Sequence, residues 1–281
     1  MSSSGYLRYV ALGDSHTEGL GDGDDVRGLR GWADRLAEQV ARHSPGLLYA
    51  NLAVRGRKAG QVRAEQLAPA LAMRPDLATV VAGVNDALRP SCDLDEVAGH
   101  VEAMFAALTS QGATVATLMF PDVGRITPLA RPIGHRVLAL NARIREAADR
   151  HGVVVAETAA HAAATDPRLW SADRLHAGPL GHARIAAAVA QALGLPGSDD
   201  KWTLPLPAEG TDISVLRTVG AEVRWAGTFL GPWVGRRLRG RSSGDGRQAK
   251  RPALLPVAAS LGTPPHRCDA LACDDAGGSS C

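Results

Sequence analysis

Residues 9–16 read YVALGDSH, a short apolar run that ends in a glycine followed by polar residues. An apolar run bounded by a turn signal is typical of a buried β-strand. Glycine permits the sharp turn that takes a strand directly into a helix, and Asp14 can fix such a turn through hydrogen bonds to nearby backbone. The stretch therefore predicts a strand that delivers Ser15 to the mouth of a sheet.

The same pattern recurs along the chain, with segments of helical periodicity between the apolar runs. The predicted strands are residues 9–12, 47–52, 77–82, 113–120 and 153–157. The predicted helices are residues 32–42, 61–73, 94–110, 135–150 and 179–193. Strict alternation of strand and helix predicts a parallel sheet with right-handed crossovers, which is an α/β fold built as a three-layer sandwich. In such sheets, functional sites form beyond the carboxyl ends of the strands.

Composition restricts the function classes. The chain has 281 residues, of which 45% are hydrophobic and 21% charged, as expected of a globular protein. Residues 1–200 carry 20 Lys and Arg and 22 Asp and Glu, so they offer no electrostatic case for binding nucleic acid. No apolar run approaches the roughly 18 residues that span a bilayer, and no signal-peptide pattern is present. Three of the four cysteines crowd near the end of the chain, which argues against a disulfide framework and predicts a cytoplasmic protein.

The organisation changes near residue 197. Residues 1–197 hold all the strands and helices of one predicted domain. Residues 198–239 are predicted to be a proline-rich linker and a short basic and apolar helical extension, and residues 240–281 a disordered tail rich in Arg, Gly, Ser and Pro. The excess of basic over acidic residues lies in these segments. Two interpretations follow: a basic tail that is simply solvated, or a tail that makes a weak contact with a membrane surface. Ser242 lies in a G-x-S-x-G match without a predicted strand before it, so we do not expect it to be a nucleophile.

Two further motifs follow predicted strands. Asn85 comes after the third strand in the sequence Gly-Val-Asn-Asp, where its amide could donate to a developing oxyanion. An ordinary Asx turn that closes the strand explains the same residues. Asn51 and Gly56 follow the second strand, and the backbone N–H of a glycine can approach a substrate oxygen closely because no Cβ intervenes.

Asp173 and His176 lie three residues apart, just before the last predicted helix. An imidazole needs a carboxylate on one ring nitrogen to set its tautomer, which leaves the other nitrogen free to take a serine proton. An aspartate that caps a turn beside a surface histidine is the alternative. All of these motifs lie where a parallel sheet forms its functional site, at the carboxyl ends of strands or just before the last helix. Together they therefore favour a serine hydrolase site over a set of unrelated turns.

Through these blocks, residues 7–193 resemble the SGNH hydrolase superfamily, also called GDSL esterases and lipases. The resemblance implies that Ser15 is the nucleophile and that Asp173 and His176 complete its triad. It implies an oxyanion hole made by the backbone N–H groups of Ser15 and Gly56 and the side-chain amide of Asn85. It also implies a flavodoxin-like sheet of five parallel strands in the order 2-1-3-4-5. His16 stands where the family usually has leucine, which we expect to alter the pocket wall.

The predicted activity is the hydrolysis of carboxylic esters, either acyl esters or thioesters, of a small-molecule substrate. Acyl transfer to a sugar or alcohol acceptor by the same triad is an alternative, and so is a catalytically inactive binding module of this fold. No cofactor is expected for this mechanism, and His266 with the terminal Cys268, Cys273 and Cys281 lacks the paired spacing of a metal site. Residues 121–134 are predicted to be a loop that walls the pocket, with Arg125 or Arg131 facing an anionic acyl group.

Overall fold

A central β-sheet with helices on both faces forms the body of the protein. The computed structural model describes residues 5–89, 91–127, 130–207 and 242–257, together with the single positions 227, 228, 231 and 235. The strands in these residues are β1 (Arg8–Gly13), β2 (Gly23–Asp24), β3 (Gly28–Leu29), β4 (Leu48–Asn51), β5 (Leu77–Val81), β6 (Thr114–Leu118), β7 (Val154–Ala156) and β8 (Arg251–Pro256). Six of them form the main sheet in the order β7-β6-β5-β1-β4-β8, and β2 and β3 form a small antiparallel ribbon.

Helices connect the parallel strands and cover both faces of the sheet. They are α1 (Ser15–Glu18), α2 (Trp32–His43), α3 (Ala59–Ala72), α4 (Val84–Ala87), α5 (Leu94–Ser110), α6 (Val123–Ile126), α7 (Arg131–His151) and α8 (Pro179–Ala192). Helices α2 and α8 pack against each other on one face, whereas α3, α5 and α7 pack side by side on the other. This arrangement confirms the predicted three-layer α/β/α sandwich. Within the described residues, no helix combines the length and the apolar character needed to cross a membrane.

Strand β1 lies near the middle of the sheet and runs parallel to both of its neighbours, β4 and β5. Its residues Tyr9 to Leu12 are completely buried. Burial on both faces explains the unbroken apolar run, because such a strand has no polar side. The five parallel strands follow the predicted order 2-1-3-4-5. From β1 the sheet is extended by β4 on one side, and by β5, β6 and β7 on the other. The strand order therefore reverses between β1 and β5, and a crevice forms beyond the carboxyl ends of these two strands.

The sixth strand of the main sheet corrects two predictions, the count of five strands and the disordered tail over residues 240–281. Strand β8 extends the sheet by pairing antiparallel with β4. The tail prediction was wrong for residues 242–257 because the prolines of β8 and its polar surroundings resemble a disordered composition. Proline is tolerated on an edge strand, where one side of the backbone has no ladder partner. Arg251 secures the pairing, since its buried guanidinium donates to the carbonyl oxygen of Tyr49 on β4 at 2.5 Å. It also donates within β8, to the Leu255 carbonyl oxygen at 2.6 Å.

Residues 121–134 also differ from the prediction of a loop. They contain α6 and the first turn of α7. Asp122 is the N-cap of α6, and its side chain accepts a hydrogen bond from the Gly124 backbone N–H at 2.9 Å. This cap starts a helix soon after β6. Arg125 and Arg131 lie exposed on these two helices.

Residues 198–207 follow α8 and include a short 3₁₀-helix, Lys201–Thr203. Trp202 on this helix donates to the Gln191 side chain at 2.6 Å and packs edge-on against His161, with ring centroids 4.7 Å apart. This segment therefore lies against the sandwich. Apart from its isolated described positions, the predicted helical and basic extension lies outside the described residues, as do the three cysteines near the end of the chain.

Candidate active site

Ser15 begins α1 directly after β1, at the carboxyl edge of the sheet. Gly13 makes this turn possible, because a Cβ there would lie 2.5 Å from both Thr17 Oγ1 and a carbonyl oxygen of β5. Asp14 fixes the turn as predicted, accepting a hydrogen bond from the His16 backbone N–H at 3.2 Å. Together these residues hold Ser15 at the mouth of the crevice.

Gln66 on α3 holds the backbone at the end of β1, a role that the sequence did not reveal. Its side chain accepts the Gly13 N–H at 2.8 Å and donates to the Gly13 carbonyl oxygen at 2.9 Å. Gln66 is buried, so water could not replace these bonds. No local pattern marks the role, because the partner lies 53 residues away and Gln66 resembles any polar residue on a helix.

Replacing Gln66 with leucine should lower the free energy of unfolding by about 1–3 kcal/mol, because the buried Gly13 N–H loses its acceptor. The Gly13 carbonyl oxygen keeps a hydrogen bond from the Val54 backbone N–H at 3.3 Å. Urea denaturation followed by circular dichroism measures the change. Gln111→Leu is the matched control, since Gln111 is exposed at the end of α5, and it should shift stability by no more than about 0.5 kcal/mol. Equal stabilities of the two variants would contradict the assigned role.

The three residues predicted to form a triad meet in one hydrogen-bonded chain. His176 Nε2 lies 2.8 Å from Ser15 Oγ, and His176 Nδ1 lies 2.7 Å from Asp173 Oδ2. Ser15 is 6% exposed and His176 is 9% exposed, so the chain is largely shielded from bulk water. When Asp173 accepts the proton of Nδ1, Nε2 remains as an acceptor for the serine hydroxyl.

The turn that contains Asp173 holds its carboxylate in place. Asp173 Oδ1 accepts hydrogen bonds from the Ser171 hydroxyl at 2.7 Å and from the backbone N–H groups of Leu175 and His176 at 2.9 and 3.0 Å. Arg174, at φ 55°, takes the left-handed conformation within this turn. Burial on its own would raise the pKa of Asp173, but the hydrogen bonds and the nearby imidazole outweigh it and hold that pKa below its ordinary value. The carboxylate is therefore ionised at neutral pH.

The predicted oxyanion donors lie on turns around Ser15. Asn85, at the start of α4, places its Nδ2 3.1 Å from Asp14 Oδ2 and 3.1 Å from the Arg57 carbonyl oxygen. Gly56 lies on the turn beyond β4 with a φ of 75°, which favours glycine. Within the described ranges, the backbone N–H groups of Ser15 and Gly56 have no hydrogen-bond acceptor. Unpaired N–H donors near a nucleophile are suited to stabilising an oxyanion.

Asp14 joins the turns that carry Ser15 and Asn85. It is completely buried. Desolvation raises the pKa of Asp14 from 3.8 to about 7, although the hydrogen bond from the His16 N–H and the charge of His176 oppose this rise. Asp14 therefore changes its protonation near neutral pH directly beside the nucleophile.

A buried ion pair joins α1 to the turn that carries Gly56. Arg55 Nη2 lies 2.6 Å from Glu18 Oε1, and the Arg55 backbone N–H donates to Glu18 Oε2 at 2.6 Å. The two side chains are 11% and 7% exposed. Sequence reasoning missed this pair because its members are 37 residues apart and read as ordinary surface charges.

His182 and Asn51 are buried polar side chains that position α1 and its surroundings. The His182 ring accepts the Trp32 backbone N–H through Nδ1 at 3.1 Å and lies 2.9 Å from the Leu20 carbonyl oxygen through Nε2. Asn51 Nδ2 donates to the Thr17 carbonyl oxygen at 2.9 Å, so its amide supports the helix that begins at the nucleophile. Burial lowers the pKa of His182 from 6.5 to about 4.

The depressed pKa of His182 predicts acid sensitivity. Between pH 6.5 and about 4 the unfolded chain binds a proton that the folded protein does not, so stability falls as the pH drops through this window, by up to about 1.4 kcal/mol per pH unit. In His182→Gln, the fall of the unfolding free energy between pH 7 and pH 4.5 should be shallower. Urea titrations across this range measure the slope, with exposed His43→Gln as the control. Parallel slopes in His182→Gln and the wild type would contradict the prediction.

An apolar pocket lies beside His16, on the side of α8, and the triad residues themselves are not part of its lining. His16 lines it, as expected of a pocket-wall residue, and the His16 ring centroid lies 5.2 Å from that of His176 and 5.1 Å from that of Phe120. Phe120, Trp170 and Arg184 also line the pocket. Burial holds the pKa of His16 well below its ordinary value, so the His16 ring is uncharged at neutral pH.

A family model described as GDSL-like lipase/acylhydrolase matches residues 11–184. The match begins within β1 and ends within α8, and it spans more than half of the chain. The chain belongs to the GDSL-like lipase/acylhydrolase family. The predicted resemblance is thereby confirmed, together with the prediction of an esterase or lipase of the GDSL type.

Solved structures share the fold of this GDSL-like family member. LAE5, an alpha/beta hydrolase from the metagenome of Lake Arreo, Spain, is 20% identical and has a TM-score of 0.57, covering 68% of this chain and 97% of its own. Axe2, an acetylxylan esterase from Geobacillus stearothermophilus, is 17% identical with a TM-score of 0.55 over 70% and 96% of the two chains. The lipase/acylhydrolase from Enterococcus faecalis is 21% identical with a TM-score of 0.54 over 69% and 100%. No curated protein sequence matches the chain.

Proposed function

We propose that this GDSL-family protein hydrolyses carboxylic esters through an acyl-enzyme formed on Ser15. The observation that carries the proposal is the continuous hydrogen-bonded chain from Ser15 Oγ through His176 to Asp173, with links of 2.8 and 2.7 Å. A serine hydroxyl is a weak nucleophile on its own and becomes effective when an oriented imidazole removes its proton.

In the proposed reaction, Ser15 Oγ attacks the ester carbonyl while His176 Nε2 takes the hydroxyl proton. The ionised Asp173 stabilises the imidazolium that forms. When the tetrahedral intermediate collapses, the bond to the alcohol oxygen breaks and His176 returns the proton to the leaving alcohol. Water then attacks the acyl-enzyme with His176 again as the base, which releases the acid and restores Ser15.

The negative charge of the tetrahedral intermediate is received by the backbone N–H groups of Ser15 and Gly56 and by the amide of Asn85. The two backbone groups need no rearrangement, because no acceptor within the described residues occupies them. Asn85 would exchange one of its present bonds, to Asp14 or to the Arg57 carbonyl oxygen, for a bond to the oxyanion. Preorganised donors of this kind are worth about 3–4 kcal/mol of barrier each.

The acyl group is assigned to the apolar pocket beside His16. The pocket volume is about 40 Å³, enough for about three water molecules and therefore for a short acyl chain. Arg184 is the arginine in its lining, whereas the exposed Arg125 and Arg131, predicted to face an anionic acyl group, are absent from that lining. Acetyl and propionyl esters are accordingly the first substrates to examine, and an acetylxylan esterase among the fold neighbours points the same way. The predicted small-molecule partner and cytoplasmic setting belong to this proposal.

Rapid-mixing kinetics with 4-nitrophenyl acetate, butyrate and octanoate test the proposal. We expect a burst of nitrophenol equal to the enzyme concentration, an acetylated Ser15 peptide in mass spectrometry, and rates that fall with acyl length. A wild-type protein that releases no nitrophenol, or that carries the acyl group on another residue, would refute the assignment and favour a binding module.

The transferase alternative uses the same acyl-enzyme. Adding a sugar or a simple alcohol during turnover separates the two activities, because a transferase yields the acylated acceptor where a hydrolase yields free acid. A thioester of the same acyl group, followed by thiol release, compares the two ester classes. We expect free acid to predominate, since the described residues that line the pocket are mostly apolar and offer little to bind a polar acceptor.

A further inference from the structure

The segment of residues 242–257, here called the C-terminal strap, reaches the site edge of the sheet from the far end of the chain. Strand β8 runs antiparallel to β4, with Arg251 opposite Asn51 at the carboxyl end of β4. Residues 242–250 precede β8, so they lie beyond that carboxyl end, on the same edge of the sheet as Ser15. The family match ends at residue 184, which leaves the strap outside it.

The first residues of the strap lie directly on the turn that carries Gly56. Ser242 Oγ lies 3.4 Å from the Gly56 carbonyl oxygen. A Cβ on Gly56 would lie 2.3 Å from Ser242 Oγ, and a Cβ on Gly244 would lie 2.0 Å from the Arg55 carbonyl oxygen. Glycine at both positions therefore permits this close approach, in which the backbone of Gly244 meets that of Arg55 and the Ser242 hydroxyl meets Gly56.

Within the strap, Ser242 and its neighbours form a closed turn. The Ser242 N–H donates to Asp245 Oδ2 at 2.8 Å, and the Gly244 N–H donates to Ser242 Oγ at 3.2 Å. Gly244 is buried, although its neighbours in the strap are mostly exposed. The part of the strap that is ordered by its own hydrogen bonds is thus the part that covers the Gly56 turn.

Three successive ion pairs connect the strap to α1, the helix that begins at Ser15. Arg247 Nη2 lies 2.6 Å from Asp25 Oδ2, and Asp25 Oδ1 lies 2.8 Å from Arg55 Nη2. Arg55 in turn pairs with Glu18, the last residue of α1. Because Arg55 directly precedes Gly56, these ion pairs also hold the turn on which the strap lies.

Two more residues anchor the strap near β8. Lys250 Nζ lies 2.5 Å from Asp34 Oδ2 on α2 and 3.1 Å from the Leu29 carbonyl oxygen. Arg251 is buried against the Tyr49 ring, with its guanidinium carbon 5.3 Å from the ring centroid. The strap is therefore fixed at both of its ends, on the sheet and on the Gly56 turn.

We propose that the C-terminal strap is a positioning element of the active site, which holds the turn of Arg55 and Gly56 so that the Gly56 N–H faces the oxyanion. Ser242, Gly244 and Arg247 are its positioning residues, and they act through Gly56 without touching substrate. The inference rests on the proposed function. Loss of an oxyanion donor costs about 10²–10³ in kcat, which sets the upper limit for displacing this turn.

Gly244→Ala tests the contact, because the new methyl group must push the strap away from the Arg55 carbonyl oxygen. In the full-length variant we expect kcat for 4-nitrophenyl acetate to fall by about 10–100-fold with KM within about twofold. The Kd of phenylboronic acid, which forms a tetrahedral adduct with an active-site serine, should rise by a similar factor. Gly99→Ala is the matched control, since a Cβ on Gly99 meets nothing within 4 Å.

Arg247→Ala provides an independent variant outside the core, because the Arg247 side chain is 41% exposed. We expect a several-fold fall in kcat that Arg247→Lys restores in part. Arg150→Ala, which breaks an exposed ion pair with Glu102 on the helices α7 and α5, should keep the wild-type kcat.

The outcomes separate the two proposals. If wild-type Ser15 is not acylated, the proposed function fails and the strap inference falls with it. If wild-type Ser15 is acylated and folded Gly244→Ala and Arg247→Ala both keep the wild-type kcat and boronate Kd, the strap inference alone is overturned. A rise in KM with kcat unchanged also overturns it, because that pattern indicates a contact with bound substrate in place of a positioned donor.

Discussion

Replacing Ser15 with alanine should lower kcat for 4-nitrophenyl acetate by about 10⁶-fold, leaving only what binding and the oxyanion donors supply. The loss is this large because nucleophile and base work as one unit, so without the hydroxyl His176 has no proton to remove and no acyl-enzyme forms. The fold should survive, because alanine is smaller and loses only the 2.8 Å bond to His176. Steady-state nitrophenol release and thermal unfolding of the purified variant measure the two effects.

Ser110→Ala is the matched control for this experiment. Ser110 lies at the end of α5, before the amino end of β6 and therefore at the opposite edge of the sheet, and its hydroxyl donates only to the Ala107 carbonyl oxygen of its own helix. It should keep the wild-type kcat. A folded Ser15→Ala protein with more than about one hundredth of the wild-type kcat would place the nucleophile elsewhere.

Replacing Asp173 with asparagine should lower kcat by about 10⁴-fold. Three donors, the Ser171 hydroxyl and the backbone N–H groups of Leu175 and His176, surround Asp173 Oδ1, so the asparagine oxygen must occupy that position. Its NH₂ group then faces His176 Nδ1 and requires that nitrogen to be an acceptor. The imidazole proton therefore moves to Nε2, which points at Ser15 and can no longer accept the hydroxyl proton.

Asp95→Asn serves as the matched control, because Asp95 is an exposed carboxylate paired with Arg143 at 2.6 Å. The ratio of kcat values between the two variants isolates the effect of the His176 tautomer from the general loss of one negative charge. A folded Asp173→Asn protein within about tenfold of the wild type would show that Asp173 does not set that tautomer.

The strands and long helices could be predicted because each carries its signal within a few residues. Tyr9 to Leu12 form an apolar run with no polar face, and the glycine after them marks the end of the strand. Ser15, Asn85 and His176 could be placed near one another for a related reason, since each follows a strand or precedes a helix at one edge of a parallel sheet. Short motifs at such positions need only the strand order to bring them together.

The supporting contacts could not be predicted, because they depend on pairs of residues far apart in the chain. Gln66 becomes distinctive only when α3 brings it to Gly13, and Arg55 only when its turn meets Glu18. Strand β8 shows the same difficulty for backbone. Its sequence is an unremarkable run between prolines, and the feature that makes it a strand is the open edge of β4, which belongs to another part of the chain.

Strand β8 also affects the order of events during protein synthesis. Residues 5–192 contain the five parallel strands and their helices, so they can begin to fold on the ribosome while residues 193–250 are still being made, which takes about 3–12 s at ordinary rates of translation. During that interval β4 has an unprotected backbone edge, to which the strands of other nascent chains can add. Premature termination in this region would release a protein that contains all three triad residues and a sheet whose β4 edge is still open to aggregation.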